Sequence, residues 1–184
     1  MSLLSNLFGK RKDLRAPMRP LWHRVVEIAR EKPWYAQCGV ADTVPGRFDA
    51  VTLVFVLLLL RMEQDETLIA PSVRLTELFV EDMDGQLRQN GVGDLVVGKH
   101  IGKLMGVLGG RLGALREALA EDAASADGAP DQAPKDQALA EALARNVTLI
   151  DNADRASLTQ RTRALIDNLA ATSNADLLAG RISR

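Results

Sequence analysis

The sequence predicts an all-α protein, a single-domain irregular bundle of about six to eight helices. Apolar residues recur at three- and four-residue spacings along most of its length, and no stretch reads convincingly as a strand or as an internal repeat. Aromatic residues make up only 4% of the chain, so a core must be built from leucine and alanine, as helical proteins often do. At 184 residues with 47% hydrophobic content, the chain can bury one sizeable core, most simply as one domain.

Residues 1–16 read as a basic amphipathic arm and residues 17–184 as the helical domain. In the arm, Leu3, Leu4, Leu7 and Phe8 share one helical face, and Lys10, Arg11, Lys12 and Arg15 follow. That order is the reverse of a secretory signal. A short apolar face beside a basic cluster suits an anionic membrane surface, each cation adding about 1 kcal/mol there. The other reading is a solvated terminus. The formal charge of −1 conceals an asymmetry: residues 1–48 hold nine Lys/Arg against four Asp/Glu, and residues 49–184 fourteen against twenty.

In the first helix, Leu21, Trp22, Val25, Ile28 and Ala29 form an apolar face, and Pro33 stops it. Cys38, the single cysteine, has no partner for an internal disulfide, which fits a reducing compartment and a small buried side chain. The next helix runs from Phe48 to Met62. Its apolar run, Ala50 to Leu60, is interrupted only by Thr52 and covers roughly half of a ~30 Å hydrocarbon core, so it is a buried helix and not a membrane span. Pro71 and Ser72 then supply a stop and an N-cap for a helix to Asn90, with Gly91 as its end signal. Asp82, seven residues after Leu75, shares the inward face of Leu75, Leu78 and Phe79 and is expected to be buried against Arg47 or Arg111. Asp84 and Arg88 make a surface pair worth about 0.2 to 0.5 kcal/mol.

From Asp94 to Glu121, a seam of Ile101, Met105, Leu108, Leu112, Leu115 and Leu119 is flanked by Gly98, Gly102, Gly106, Gly109 and Gly113, a strip of bare backbone about 100° round the helix. With Gly110, these glycines cost on the order of 5 kcal/mol relative to alanine, and close helix approach is the obvious compensation. The expected neighbour is another helix of the same chain; the alternative is a groove that accepts a client helix. Residues 122–137 read as a mobile linker. Beyond it, Leu139, Leu143 and Val147 begin one helix, Leu158, Leu165, Ile166 and Leu169 another, and Leu177 and Leu178 a short last one before Gly180.

No catalytic or metal-binding constellation is legible. His23 and His100 stand without ligand neighbours, the Asp82-Met83-Asp84-Gly85 run lacks the remaining acids of a calcium loop, and no serine sits in a nucleophile elbow. The chain is expected to be neither an enzyme nor a cofactor or nucleic-acid binder. Ionised groups beside strongly apolar helices need partners or a task, and Asp42, Arg47, Asp49, Asp82, Asp94 and Arg111 are expected to form a structural charge network. The alternative is that Arg47 or Trp22 meets a client directly.

Two motifs carry a resemblance: Gly39-Val40-Ala41-Asp42-Thr43-Val44-Pro45-Gly46-Arg47-Phe48-Asp49, and Asp82-Met83-Asp84 through Arg88 to Gly91-Val92-Gly93-Asp94. Together with Trp22, Ile28-Ala29-Arg30, Tyr35 and Leu139 to Asn146, they make the chain resemble the ubiquinol-cytochrome c chaperone family over about residues 22–146. The resemblance implies a non-enzymatic helical assembly factor that binds newly made cytochrome b on its way into the bc1 complex, peripheral to the cytoplasmic face of a bacterial inner membrane. Under it, Trp22, Tyr35, Arg47, Gly98, Gly102 and Gly106 are candidate client contacts, and Leu3, Leu4, Leu7, Phe8, Lys10, Arg11 and Lys12 candidate membrane contacts. A second function class is a carrier of a hydrophobic small molecule, quinone or lipid. The carrier needs an enclosed apolar cavity, whereas the chaperone needs an open apolar surface.

Overall fold

The computed structural model describes residues 13–89, 94–128 and 136–183, with side chains described throughout except at 87–89, 94–100 and 125–128. The arm residues Leu3, Leu4, Leu7, Phe8, Lys10, Arg11 and Lys12 therefore lie outside the described residues, as do the side chain of Asp94 and the surroundings of Gly98. The described residues form α1 (Arg19–Ala29), α2 (Lys32–Ala36), α3 (Val44–Met62), α4 (Ile69–Gln89), α5 (Asp94–Gly128), α6 (Gln137–Asn146), α7 (Arg155–Ala171) and α8 (Asn174–Leu178). The fold is all-α. The nearest approach to a sheet among the described residues is one isolated antiparallel bridge between Val40 and Leu149.

α3 is the axis of the bundle, packed against α1, α4, α5 and α7. It is buried on every side from Thr52 to Leu60, as an uninterrupted apolar helix must be. Its hydroxyl exception is accommodated locally, since Thr52 Oγ1 donates to the Phe48 carbonyl at 2.8 Å. The helix begins at Val44, a turn before the expected Phe48, because Thr43 accepts a capping bond from the Gly46 amide and Pro45 sits in the first turn. Gly46 is required there: a Cβ would come within 2.0 Å of the Ala41 carbonyl oxygen.

Around α3, Trp22 meets Phe55 and Phe79 edge-on at 5.8 Å, and the two phenyl rings stack at 4.8 Å. Trp22 is 6% exposed. The indole of this candidate client contact is thus packed in the core and presents little surface.

Two further boundaries differ from expectation. α4 starts at Ile69, preceded by a 3-10 turn at Glu66–Leu68 that Asp65 caps, and Ser72 is no N-cap, because its hydroxyl donates back to the Ile69 carbonyl at 2.8 Å. α5 continues through Gly128, into the segment read as linker, because its alanines are strong helix formers. On the return, the two carboxylate oxygens of Asp122 accept from the amides of Ala138 and Leu139 at 3.1 and 3.2 Å, so α5 caps the N-terminus of α6. Arg163 joins Asp122 and Asp136 at the same point. At the other end, Arg61 on α3 donates to the Leu169 and Thr172 carbonyls, closing the C-terminus of α7.

Among the described residues no helix is long and apolar enough to cross a membrane. Cys38 is buried, and burial pushes its thiol above the ordinary range, which makes it a poor nucleophile.

Candidate functional site

The helix that most affects the outer surface is α5. Leu108 and Leu115 of its apolar seam are buried in the core, while Met105 and Leu112, on a line slightly further round, form one wall of a surface groove. Val73, Thr76, Glu77 and Val80 of α4 form the opposite wall, and Leu59 and Glu63 of α3 lie between them. The groove has a volume of about 600 Å³ and is open to solvent: Val73 is 56% exposed and Met105 38%. Its walls are aliphatic, with carboxylates at the rim. One of these, Glu63, is held by Arg116 of α5 through Nη2 contacts of 2.8 and 3.0 Å, an ion pair at the edge of the groove.

The glycine strip adjoins the Met105 wall. A Cβ built on Gly102, Gly106, Gly109, Gly110 or Gly113 would meet no atom of the described residues within 4 Å. Among the described residues the expected neighbouring helix of the same chain is therefore absent at these positions, a correction with a simple cause: α3, α4 and α6 pack against other faces of α5. Glycines that serve close approach look quite different. Gly180, with φ +72°, stands where a Cβ would lie 2.7 Å from the Pro20 carbonyl oxygen.

The charged candidates separate into two pairs. Asp49 on α3 and Arg111 on α5 form a buried ion pair, with Asp49 6% exposed. The second Asp49 oxygen accepts from the Thr148 amide at 2.9 Å and hydroxyl at 2.6 Å, and the Arg111 guanidinium lies over the Phe48 ring. Arg47 and Asp42 pair at 2.6 Å in the open, where Arg47 holds the Asp42 carboxyl below the usual carboxylate range. Asp82 belongs to neither pair. It is partly exposed and accepts from Gln86 Nε2 at 3.4 Å, because Arg111 is already committed to Asp49 and Arg47 to Asp42. Tyr35 is half-buried, with its hydroxyl donating to the Ala29 carbonyl at 2.9 Å and its ionisation raised by burial. None of Trp22, Tyr35, Arg47, Gly102 and Gly106 lines the groove; Gly106 follows the groove residue Met105 along α5, and Gly102 lies one turn before Gly106.

Sequence reasoning missed Leu59, Val73, Thr76, Glu77 and Val80. The available signal was on α4, where Val73 and Val80 repeat at seven residues off the Leu75, Leu78 and Phe79 face.

A family model described as ubiquinol-cytochrome C chaperone matches residues 36–184. A solved structure, the crystal structure of the Cbp3 homolog from Brucella abortus, is similar with a TM-score of 0.73 and 32% identity, covering 99% of this chain and 96% of that one. Comparison with curated proteins gave no significant match. With four-fifths of its length inside the family's sequence pattern and nearly all of it superposable on that helical structure, the chain belongs to the ubiquinol-cytochrome c chaperone family.

Proposed function

We propose that the chain is a non-enzymatic assembly chaperone that holds an apolar helix of newly made cytochrome b in the groove between α4 and α5. One observation carries the placement: the four strip glycines Gly102, Gly106, Gly109 and Gly113, and Gly110 with them, meet no described neighbour, on a helix that also walls an apolar trough. In a solvated helix each costs about 1 kcal/mol relative to alanine, and nothing in the described fold offsets it. A client helix laid against the strip would, since removing side chains lets two backbones approach closely and gain van der Waals contact. Gly98 continues the strip by sequence. The trough is also unlike a carrier site, since its apolar walls meet solvent and do not enclose a ligand.

A membrane client suits a site at the bilayer surface. The arm, with Leu3, Leu4, Leu7 and Phe8 beside Lys10, Arg11 and Lys12, is the proposed contact with the anionic cytoplasmic face of the inner membrane. The proposed client surface replaces Trp22 and leaves Tyr35 and Arg47 as a separate outer patch.

The test is Val73→Asp combined with Met105→Asp. Both side chains are exposed, so the melting temperature should change little, while cytochrome b co-purification and bc1 content should fall severalfold. Normal bc1 content with a folded variant would remove the groove from the function.

A further inference from the structure

The lining of the groove carries charge of one sign. Its two ionisable residues, Glu63 and Glu77, are both carboxylates, and the C-terminal end of α3, where backbone carbonyls concentrate partial negative charge, reaches it at Leu59 and Glu63. Glu63 is met by Arg116. Glu77 differs: among the described residues no hydrogen bond or ion pair engages its exposed carboxylate, and Arg15, which feels its charge, is already bonded to Asp13 and Glu81 at 3.1 Å each. We propose that the groove selects a helix bearing a lysine or arginine at the edge of its apolar face, and that Glu77 is the residue that receives this cation. Resting on the client reading, this narrows the occupant to the end of a membrane helix, where an apolar run meets a basic residue.

A helix seated in the trough covers Glu77 along with the aliphatic walls, because Glu77 stands between Val73 and Val80 on α4, one turn from each, and Met105 and Leu112 of α5 wall the other side. A wholly apolar occupant would strip water from that carboxylate and return nothing, a penalty that offsets the gain from aliphatic contact. A lysine or arginine removes the penalty, its stem lying along the valines while its head meets the carboxylate. Membrane helices present such residues where they leave the bilayer on the cytoplasmic side. The same carboxylates repel an anionic lipid headgroup, so the charge of the lining favours a helix over a bilayer surface as the occupant.

The experiment uses the intact chain and fluorescent amphipathic peptides of about 16 residues, long enough to cover the roughly 12 Å of α4 from Ser72 to Val80. The peptides share one leucine face and carry Lys, Gln or Glu at a single position on its edge. The Lys peptide should bind roughly fivefold or more tightly than the Gln peptide, and the Glu peptide more weakly than either, with the preference shrinking as salt is added. Glu77→Gln should erase the difference between the Lys and Gln peptides, whereas Glu117→Gln, on α5 outside the lining, should leave it. Val73→Asp/Met105→Asp should abolish binding of the Gln peptide. Equal binding of the Lys and Gln peptides, a preference that survives Glu77→Gln or falls equally with Glu117→Gln, Gln-peptide binding indifferent to the double variant, or no binding of the Lys peptide up to millimolar concentration overturns the proposal. So does self-association of the chain that Met105→Asp abolishes, which gives the groove to a second copy. The client reading fails separately: normal bc1 content in Val73→Asp/Met105→Asp removes cytochrome b while a Glu77-dependent preference keeps the cation, and lost bc1 content without that preference does the reverse.

Discussion

Asp49 is the carboxylate on which three parts of the fold converge: α3, which carries it, α5 through Arg111, and the segment between α6 and α7 through Thr148. It is only 6% exposed, so its partners decide its cost. Arg111→Ala should destabilise the fold by about 3 to 5 kcal/mol, read as a lowered denaturation midpoint, because it strands a buried carboxylate with only the Thr148 donors. Asp82→Ala, by contrast, should cost no more than about 0.5 kcal/mol, since among the described residues a long bond from Gln86 at a partly exposed position holds little. A comparable loss in both variants would contradict this assignment of the buried pair. The sequence placed Asp49 and Arg111 among six candidate charges but could not pair them. Heptad phase put Asp82 on the apolar face of α4, yet which cation each acid reaches depends on how helices cross, and that is not encoded in any one helix's period.

At the scale of elements, α5 is where expectation and structure diverge most usefully. Its periodicity was legible, and so was the bare strip beside the apolar seam. What periodicity cannot tell is whether a strip of small residues looks inward or outward, because the answer lies in where α3, α4 and α6 are placed around it. With the strip outward, the effect of substitution changes sign relative to an internal contact. Gly106→Ala should raise stability by about 1 kcal/mol, as in any exposed helix interior, and Gly106→Leu should also leave the fold intact, there being nothing among the described residues within 4 Å to clash with. Both should impair bc1 assembly, leucine more than alanine, because the lost feature is room for a second backbone. Thermal denaturation and bc1 content measured on the same two variants check this; a destabilised Gly106→Leu would return the strip to internal packing.

At the scale of the whole molecule, the helical class, the central apolar helix and most of the core residues were legible, because one-sided or all-round apolar periodicity follows directly from burial. Boundaries moved where capping chemistry overrode them, at Thr43, Asp65 and Asp122. The groove was not legible, since its walls come from three helices and each residue taken alone reads as ordinary apolar surface. The open glycine face of α5 also has a dynamic meaning. A helical stretch bare of side chains along one side from Gly102 to Gly113 leaves its own hydrogen bonds reachable by water there, so its amides should exchange with deuterium faster than those of the buried α3. When a helix is laid across it, that water is excluded. Slowed exchange confined to residues 102–113 on one side and 72–80 on the other would be the footprint of an occupant, written in time and not in coordinates.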